Sequence, residues 1–230
     1  MTNYWSTGFI PTVLGHANLN SFWDAPDNEE NFKKNPKPEY NSTSITYQCN
    51  SYGYRTPEFD FNSAAPSIFC LGCSFTYGIG VRQEETWPSL IQQRFPAYNV
   101  HNFGSAGSSG DTVVRTLTNT GKLLNPKILL ILWPEIFRFE LYRSNDIYHT
   151  SALDGICRPE MLIDSHFISL RRKNKAMIDM LSKQYNYSVI DYSTRSIPIN
   201  FSDLGRDDHP GPKSHANIAN LYASRITQNK

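Results

Sequence analysis

Strand and helix signals alternate along the last two thirds of the chain, which predicts an α/β fold with a parallel sheet sandwiched between two helical layers. Short apolar runs bounded by Pro and Gly recur at Ser67–Gly72 and Lys127–Trp133, the pattern of buried parallel strands. Stretches with apolar spacings of three and four lie between and after these runs, as helices packed on a sheet require. Connections rich in Gly and Ser follow the first two strands, where open α/β sheets place their ligand sites.

Residues 1–64 are rich in Asn, Ser, Tyr and Pro and hold no sustained period of 3.6 or 2, so they read as an extended arm packed on the core of a 65–230 domain. Tyr4, Trp5, Phe9, Phe22 and Trp23, with the run Asn50-Ser51-Tyr52-Gly53-Tyr54-Arg55, supply its packing surface. After the first strand, Trp87, Leu90, Ile91 and Phe95 predict a helix over Glu84 to Phe95. A strand over Tyr98 to Phe103 leads into the loop Gly104-Ser105-Ala106-Gly107-Ser108-Ser109-Gly110. Asp111 is placed to cap the next helix, which carries Val114, Leu117 and Leu124 and stops before Pro126. The strand ending at Trp133 opens into an irregular, aromatic-rich stretch over 134–158. A long helix is expected from Pro159 to Gln184 with Met161, Phe167, Ile168, Met177, Ile178 and Leu181 inward. A strand over Tyr187 to Asp191 and a helix over Pro212 to Ile226 close the chain.

Composition excludes several classes of function. In 230 residues, 22 Lys and Arg face 21 Asp and Glu, so no chain-wide field favours nucleic acid or an anionic membrane. Cys49, Cys70, Cys73 and Cys157 are too few and too scattered for a disulfide framework, and reduced thiols are expected. The start MTNYWSTGFIP lacks a signal-peptide pattern, and the apolar run Ile128–Trp133 is too short to span a bilayer. The expected location is the cytoplasm, or a released or particle-associated state, with no membrane span.

Three loops hold the residues that chemistry could use. A serine on a Gly-bounded turn, Gly72-Cys73-Ser74-Phe75-Thr76-Tyr77-Gly78, follows the first strand. The Gly104–Gly110 loop offers backbone N–H groups ahead of a helix. Arg206-Asp207-Asp208-His209-Pro210-Gly211 puts a histidine and carboxylates before the last helix. Together they can provide a nucleophile, a base, an orienting acid and oxyanion donors. Taken singly, each is weak evidence, since a Gly-Ser loop is more often just a turn and an Asp-Asp-His cluster more often a set of solvated polar residues. Cys70 and Cys73 form a C-x-x-C with no second ligand pair, so no metal site is expected. His101, His166 and His215 read as structural or surface residues, and Arg171-Arg172-Lys173-Asn174-Lys175 as a solvated helix face.

The combination resembles the SGNH/GDSL hydrolases. Leu71-Gly72-Cys73-Ser74-Phe75-Thr76-Tyr77-Gly78-Ile79-Gly80-Val81 looks like the family's first block, with Cys73 where the family usually has Asp. Asn102-Phe103-Gly104-Ser105-Ala106-Gly107 is similar to the second block, and His209-Pro210-Gly211-Pro212-Lys213-Ser214-His215 to the last. The resemblance covers about Asn50 to the C-terminus. It implies a three-layer sandwich around a flavodoxin-like sheet, acyl transfer to Ser74 and then to water, and no metal or organic cofactor. By the same resemblance His209 is the general base, and the N–H groups of Ser74 and Gly107 are oxyanion donors. Two positions depart from the family's pattern. Glu135 falls nearest the Asn that normally donates to the oxyanion, and Arg206 stands where the family has the orienting Asp. Asp207 is the preferred orienting acid, Asp208 and Asp203 are alternatives, and a Ser-His pair without an acid is a further one. The function implied is a serine esterase removing a small acyl group from a hydroxylated substrate, a carbohydrate among them. A weakly active or inactive module used for binding or assembly, and an O-acyltransferase using the same Ser and His, are the alternatives.

Overall fold

The computed structural model describes residues 16–143, 146–151 and 164–228. In chain order the elements are strand β1 (Asn20–Ser21), helix α1 (Glu29–Lys34), strand β2 (Tyr47–Gln48), strand β3 (Ser67–Gly72) and the one-turn helix α2 (Ser74–Tyr77). A 3-10 turn at Gln83–Glu85 precedes helix α3 (Trp87–Arg94), strand β4 (Asn99–Gly104), helix α4 (Gly110–Leu124) and strand β5 (Pro126–Trp133). Strands β6 (Arg138–Arg143) and β7 (Asp146–Ser151), helix α5 (Asp164–Tyr185), strand β8 (Ser188–Ser193) and helix α6 (Pro212–Gln228) complete the order.

The four long strands form a parallel sheet in the order β4-β3-β5-β8. All six residues of β3 are buried, as a strand covered on both faces must be. Side chains alternate between its two faces. Phe69 and Leu71 join Phe103, Leu129, Ile131 and Trp133 under α4 and α5, where Val113, Leu117 and Ile178 meet them. Ile68 and Cys70 join Leu130 and Leu132 under α3 and α6, where Trp87, Ile91, Ile218 and Tyr222 meet them. The result is the α/β/α sandwich that the alternating pattern predicts. Each fully buried Leu, Ile or Phe contributes about 1.5–3 kcal/mol of apolar transfer.

Ahead of the sheet, Tyr54 and Phe59 pack on Phe103, while Ile45, Tyr47 and Cys49 form a smaller cluster with Tyr77 and Ile79. Tyr54 and Phe59 thus cover the sheet. Tyr4, Trp5 and Phe9 lie outside the described residues, as do Met161, Cys157 and the expected helix start at Pro159.

Five expectations are corrected. The helix read over Glu84–Phe95 begins as a 3-10 turn and restarts at Trp87, where the Thr86 hydroxyl accepts from Ser89 N–H and Pro88 fills the first turn. Ser109, not Asp111, caps α4: its hydroxyl accepts from the N–H groups of Asp111 and Thr112, and the Thr112 hydroxyl oxygen accepts from the Ser109 N–H. The stretch 134–158 is not irregular throughout, because β6 and β7 pair as an antiparallel hairpin. Its inward position Glu140 is charged, which hid the alternation, and Arg115 and Thr112 of α4 satisfy it. Ile168 and Met177 are exposed, since α5 meets the core along a narrow stripe of Phe167, Asn174 and Ile178. Within the basic run of α5, Arg171 lies over the Trp133 ring and donates to Pro134 O, so that face is only partly solvated.

Candidate active site

The chain turns sharply where β3 ends. Cys73 is extended and Ser74 opens α2, which Gly78 closes in the left-handed conformation. Close packing of this turn on the neighbouring strand requires glycine at Gly104, where a Cβ would collide with the backbone N of Tyr77. Ser74 therefore stands at the carboxyl end of β3, which lies between β4 and β5, where the strand order reverses.

The Gly104–Gly110 loop is fastened to the same strand end. Ser105 N–H and the Ser108 hydroxyl both donate to Gly72 O, at 3.1 and 3.0 Å. Gly107 takes a φ of 74°. Neither the Ser74 nor the Gly107 N–H has an acceptor among the described residues, so both donors remain available.

The third loop brings His209 to the same place. An isolated bridge between Leu204 and Pro210, with Gly205 N–H donating to His209 O at 2.7 Å, folds 204–210 into a tight hairpin. Within it His209 Nδ1 lies 2.7 Å from Asp207 Oδ2, and Nε2 lies 3.0 Å from Ser74 Oγ. An ionised carboxylate only accepts, so Nδ1 carries the proton and Nε2 is free to accept from the Ser74 hydroxyl. The Asp207 side chain is 3% exposed and that of His209 22%, which shelters the carboxylate and leaves part of the imidazole open. Phe75 meets the imidazole edge-on, with ring centroids 5.8 Å apart.

The other candidates are placed elsewhere. Asp208, with φ 71°, turns its carboxylate to Lys37 and Asn35, and the Lys37 hydrogen bond holds its pKa below the usual carboxylate value. Asp203 accepts from Ser214 N–H at the start of α6. Glu135, nearest the family's Asn position, turns its oxygens to the Thr194 hydroxyl at 3.1 Å and Arg195 Nε at 3.0 Å, from which they accept. His215 is fully buried and accepts from Trp87 N–H through Nδ1. Burial, with smaller effects of Arg55 and His209, pushes its pKa down to about 3, so it stays neutral. His101 packs against Phe59 and Phe69, and burial pushes it to about 4.

One set of contacts had no local signal in the sequence. Arg206 is buried against Asp27, which accepts from Nε at 2.9 Å and from a terminal NH2 at 2.8 Å. Its guanidinium lies 4.0 Å above the Trp23 ring and also donates to the carbonyls of Phe22, Asn41 and Ser42. These partners stand 164–184 residues away along the chain, out of reach of any window-based pattern.

Among the described residues no group of three or more His, Cys, Asp or Glu is placed to hold a metal ion, and Cys49, Cys70 and Cys73 are buried free thiols. No helix among them is long and apolar enough to cross a membrane.

No protein-family model and no curated protein matches the chain. Similar solved structures include the psychrotrophic esterase EstA from Pseudoalteromonas sp., 17% identical with a TM-score of 0.42, covering 70% of this chain and 97% of that one. A lipolytic G-D-S-L family protein from Veillonella parvula is 16% identical with a TM-score of 0.41, covering 71% of this chain and 99% of that one. The acetyl xylan esterase Est2A from Butyrivibrio proteoclasticus is 14% identical with a TM-score of 0.43, covering 72% of this chain and 64% of that one.

Proposed function

We propose that the chain is a serine esterase in which Ser74 is the nucleophile, His209 the general base and Asp207 the orienting acid. The observation that carries this reading is the continuous chain from Asp207 Oδ2 through His209 to Ser74 Oγ, at 2.7 and 3.0 Å, drawn from two loops 135 residues apart. His209 Nε2 takes the hydroxyl proton as Ser74 Oγ attacks an ester carbonyl, and Asp207 stabilises the imidazolium that forms. The unpaired N–H groups of Ser74 and Gly107 support the reading further, as donors to the oxygen that becomes negative. His209 then returns the proton to the departing alcohol. A water, deprotonated by the same nitrogen, releases the acid and regenerates Ser74.

Glu135 adds no donor to this set, so the hole is built from backbone N–H groups. Losing one oxyanion donor costs about 10²–10³ in kcat, so a modest rate is expected if none replaces it. The acyl group is taken to be small and the alcohol part hydroxylated. Carbohydrate esters are the first class to try, because Phe201, 83% exposed in the segment leading to the His209 hairpin, is a free aromatic surface.

The test uses wild type and Ser74→Ala with a fluorophosphonate and with short-chain aryl esters. Labelling and turnover in wild type, both lost in the variant, are expected. Wild type that neither labels nor exceeds the variant overturns the assignment. Adding an alcohol acceptor separates hydrolysis from acyl transfer through the product formed.

A further inference from the structure

Asp207 has two N–H donors close by in the chain: the imidazole of His209 and the guanidinium of the adjacent residue Arg206. Arg206 points away, into residues 22–42, where Asp27 binds it through two nitrogens and its whole side chain is buried. Asp27 also holds the seat of the acid. Its Oδ2 accepts from the Tyr47 hydroxyl at 2.6 Å, and that hydroxyl oxygen accepts from Gly80 N–H at 2.8 Å. Gly80 O in turn accepts from Arg206 N–H at 2.8 Å, and the Asp207 carboxylate lies so close to the Gly80 Cα that a Cβ there would collide with Oδ1. One carboxylate thus binds Arg206 directly and reaches Gly80 through the Tyr47 hydroxyl, and neither link runs through Asp207 or His209.

We propose that Asp27 is a positioning residue for the base: by sequestering Arg206 it keeps that guanidinium off Asp207 and leaves the Asp207 carboxylate to His209. The inference rests on the esterase reading for its kinetic consequence but not for its electrostatic one. If Asp27 loses its charge, Arg206 is left as a buried cation without a counterion, an arrangement that costs several kcal/mol and drives the side chain to another carboxylate. Asp207, the next residue along the chain, offers one. A carboxylate shared with arginine stabilises the imidazolium less, so the titration midpoint of His209 falls. The other groups facing His209 leave this sign unchanged. They are the Ser74 hydroxyl at Nε2 and the apolar Phe75 ring, with Asp208 already neutralised by Lys37 and His215 of α6 uncharged.

The test reads the His209 imidazole by NMR titration of its Cε1–H signal, assigned by its loss in His209→Gln, in wild type, Asp27→Asn and Asp27→Glu. Asp27→Asn is expected to lower the midpoint by about one to three pH units, the range set by one close opposite charge. The kcat for an aryl ester should fall by about 10²-fold, part of the 10⁴-fold effect of disabling such an acid, with KM nearly unchanged. Asp27→Glu, which keeps the charge, should retain the wild-type midpoint. Adding Arg206→Met to Asp27→Asn removes the competitor and should restore it. A folded Asp27→Asn with an unshifted His209 overturns the proposal, and so does a shift that Arg206→Met fails to reverse. Should Asp27→Asn not fold, the double variant Asp27→Leu with Arg206→Met decides: a wild-type midpoint supports the proposal and a lowered one overturns it. The titration needs no turnover. A shifted midpoint in a protein without Ser74-dependent esterase activity would sink the function while leaving the positioning role intact.

Discussion

Asp207 and Asp208 are neighbours in sequence, yet their carboxylates face opposite ways: Asp207 binds His209 Nδ1 at 2.7 Å, while Asp208 meets Lys37 and Asn35. The left-handed φ of 71° at Asp208 turns the chain between them, which is why only one of the pair reaches the imidazole. Asp207→Asn keeps the shape but offers an NH2 group where His209 needs an acceptor. The kcat for a short aryl ester should drop by about 10³–10⁴-fold, whereas Asp208→Asn should change it only slightly. Parallel kcat measurements on the two variants check this, and equal, small losses would mean that His209 acts without an acid.

Gly80 supports the same carboxylate from the other side. It takes a φ of 77°, and a Cβ there would meet Asp207 Oδ1 and approach Arg206 N. Gly80→Ala is therefore strained in its own backbone, by about 1–2 kcal/mol, and displaces the acid as well. A lowered melting temperature together with a kcat loss larger than the KM change is expected. A variant that melts lower with unchanged kcat would show that Asp207 tolerates the shift.

The layers of the fold were legible because they rest on local periodicity. Phe69 and Leu71 against Ile68 and Cys70 declare a strand with two buried faces, and Trp133 ends the most apolar run in the chain. Ser74 and His209 were legible as members of short blocks. What stayed hidden depends on partners far apart in the chain. Glu140 looks like a surface residue until Arg115 and Thr112 of α4 enclose it, so the β6–β7 hairpin went unread. Arg206 looked like a defect in the last block, and only the fold shows Asp27 beside it. The cap of α4 was misassigned by two residues because Ser109 and Asp111 are both good capping types, and the reciprocal bond from Thr112 decides between them.

Glu135 gives a prediction of little change. Its carboxylate is engaged by Thr194 and Arg195, so converting it to an amide leaves the backbone donors at Ser74 and Gly107 in place. Glu135→Gln should keep kcat close to wild type and slightly reduce stability through the loss of a half-exposed ion pair, an effect of about 0–1 kcal/mol. A 10²-fold or greater loss of kcat in a variant with wild-type melting would place the Glu135 side chain in the oxyanion site after all.

His101 and His215 set the acid side of stability. Burial lowers the first to about 4 and the second to about 3, below the value of about 6.5 expected in the unfolded chain. As pH falls through 6.5 the unfolded state takes up these protons before the folded state does, so stability is fully present above that pH. It is lost progressively down to the folded values. Each histidine contributes a slope of up to about 1.4 kcal/mol per pH unit within that window. Urea unfolding between pH 7 and pH 4.5 should show the decline. His101→Phe, which keeps a ring against Phe59 and Phe69, and His215→Gln, whose carbonyl oxygen can accept from Trp87 N–H, should each flatten it by about one proton's worth. An unchanged slope in both variants would assign the acid sensitivity to the carboxylates instead. Because His215 stays neutral throughout this range, the acid limb of esterase activity should move in Asp207→Asn and stay in place in His215→Gln.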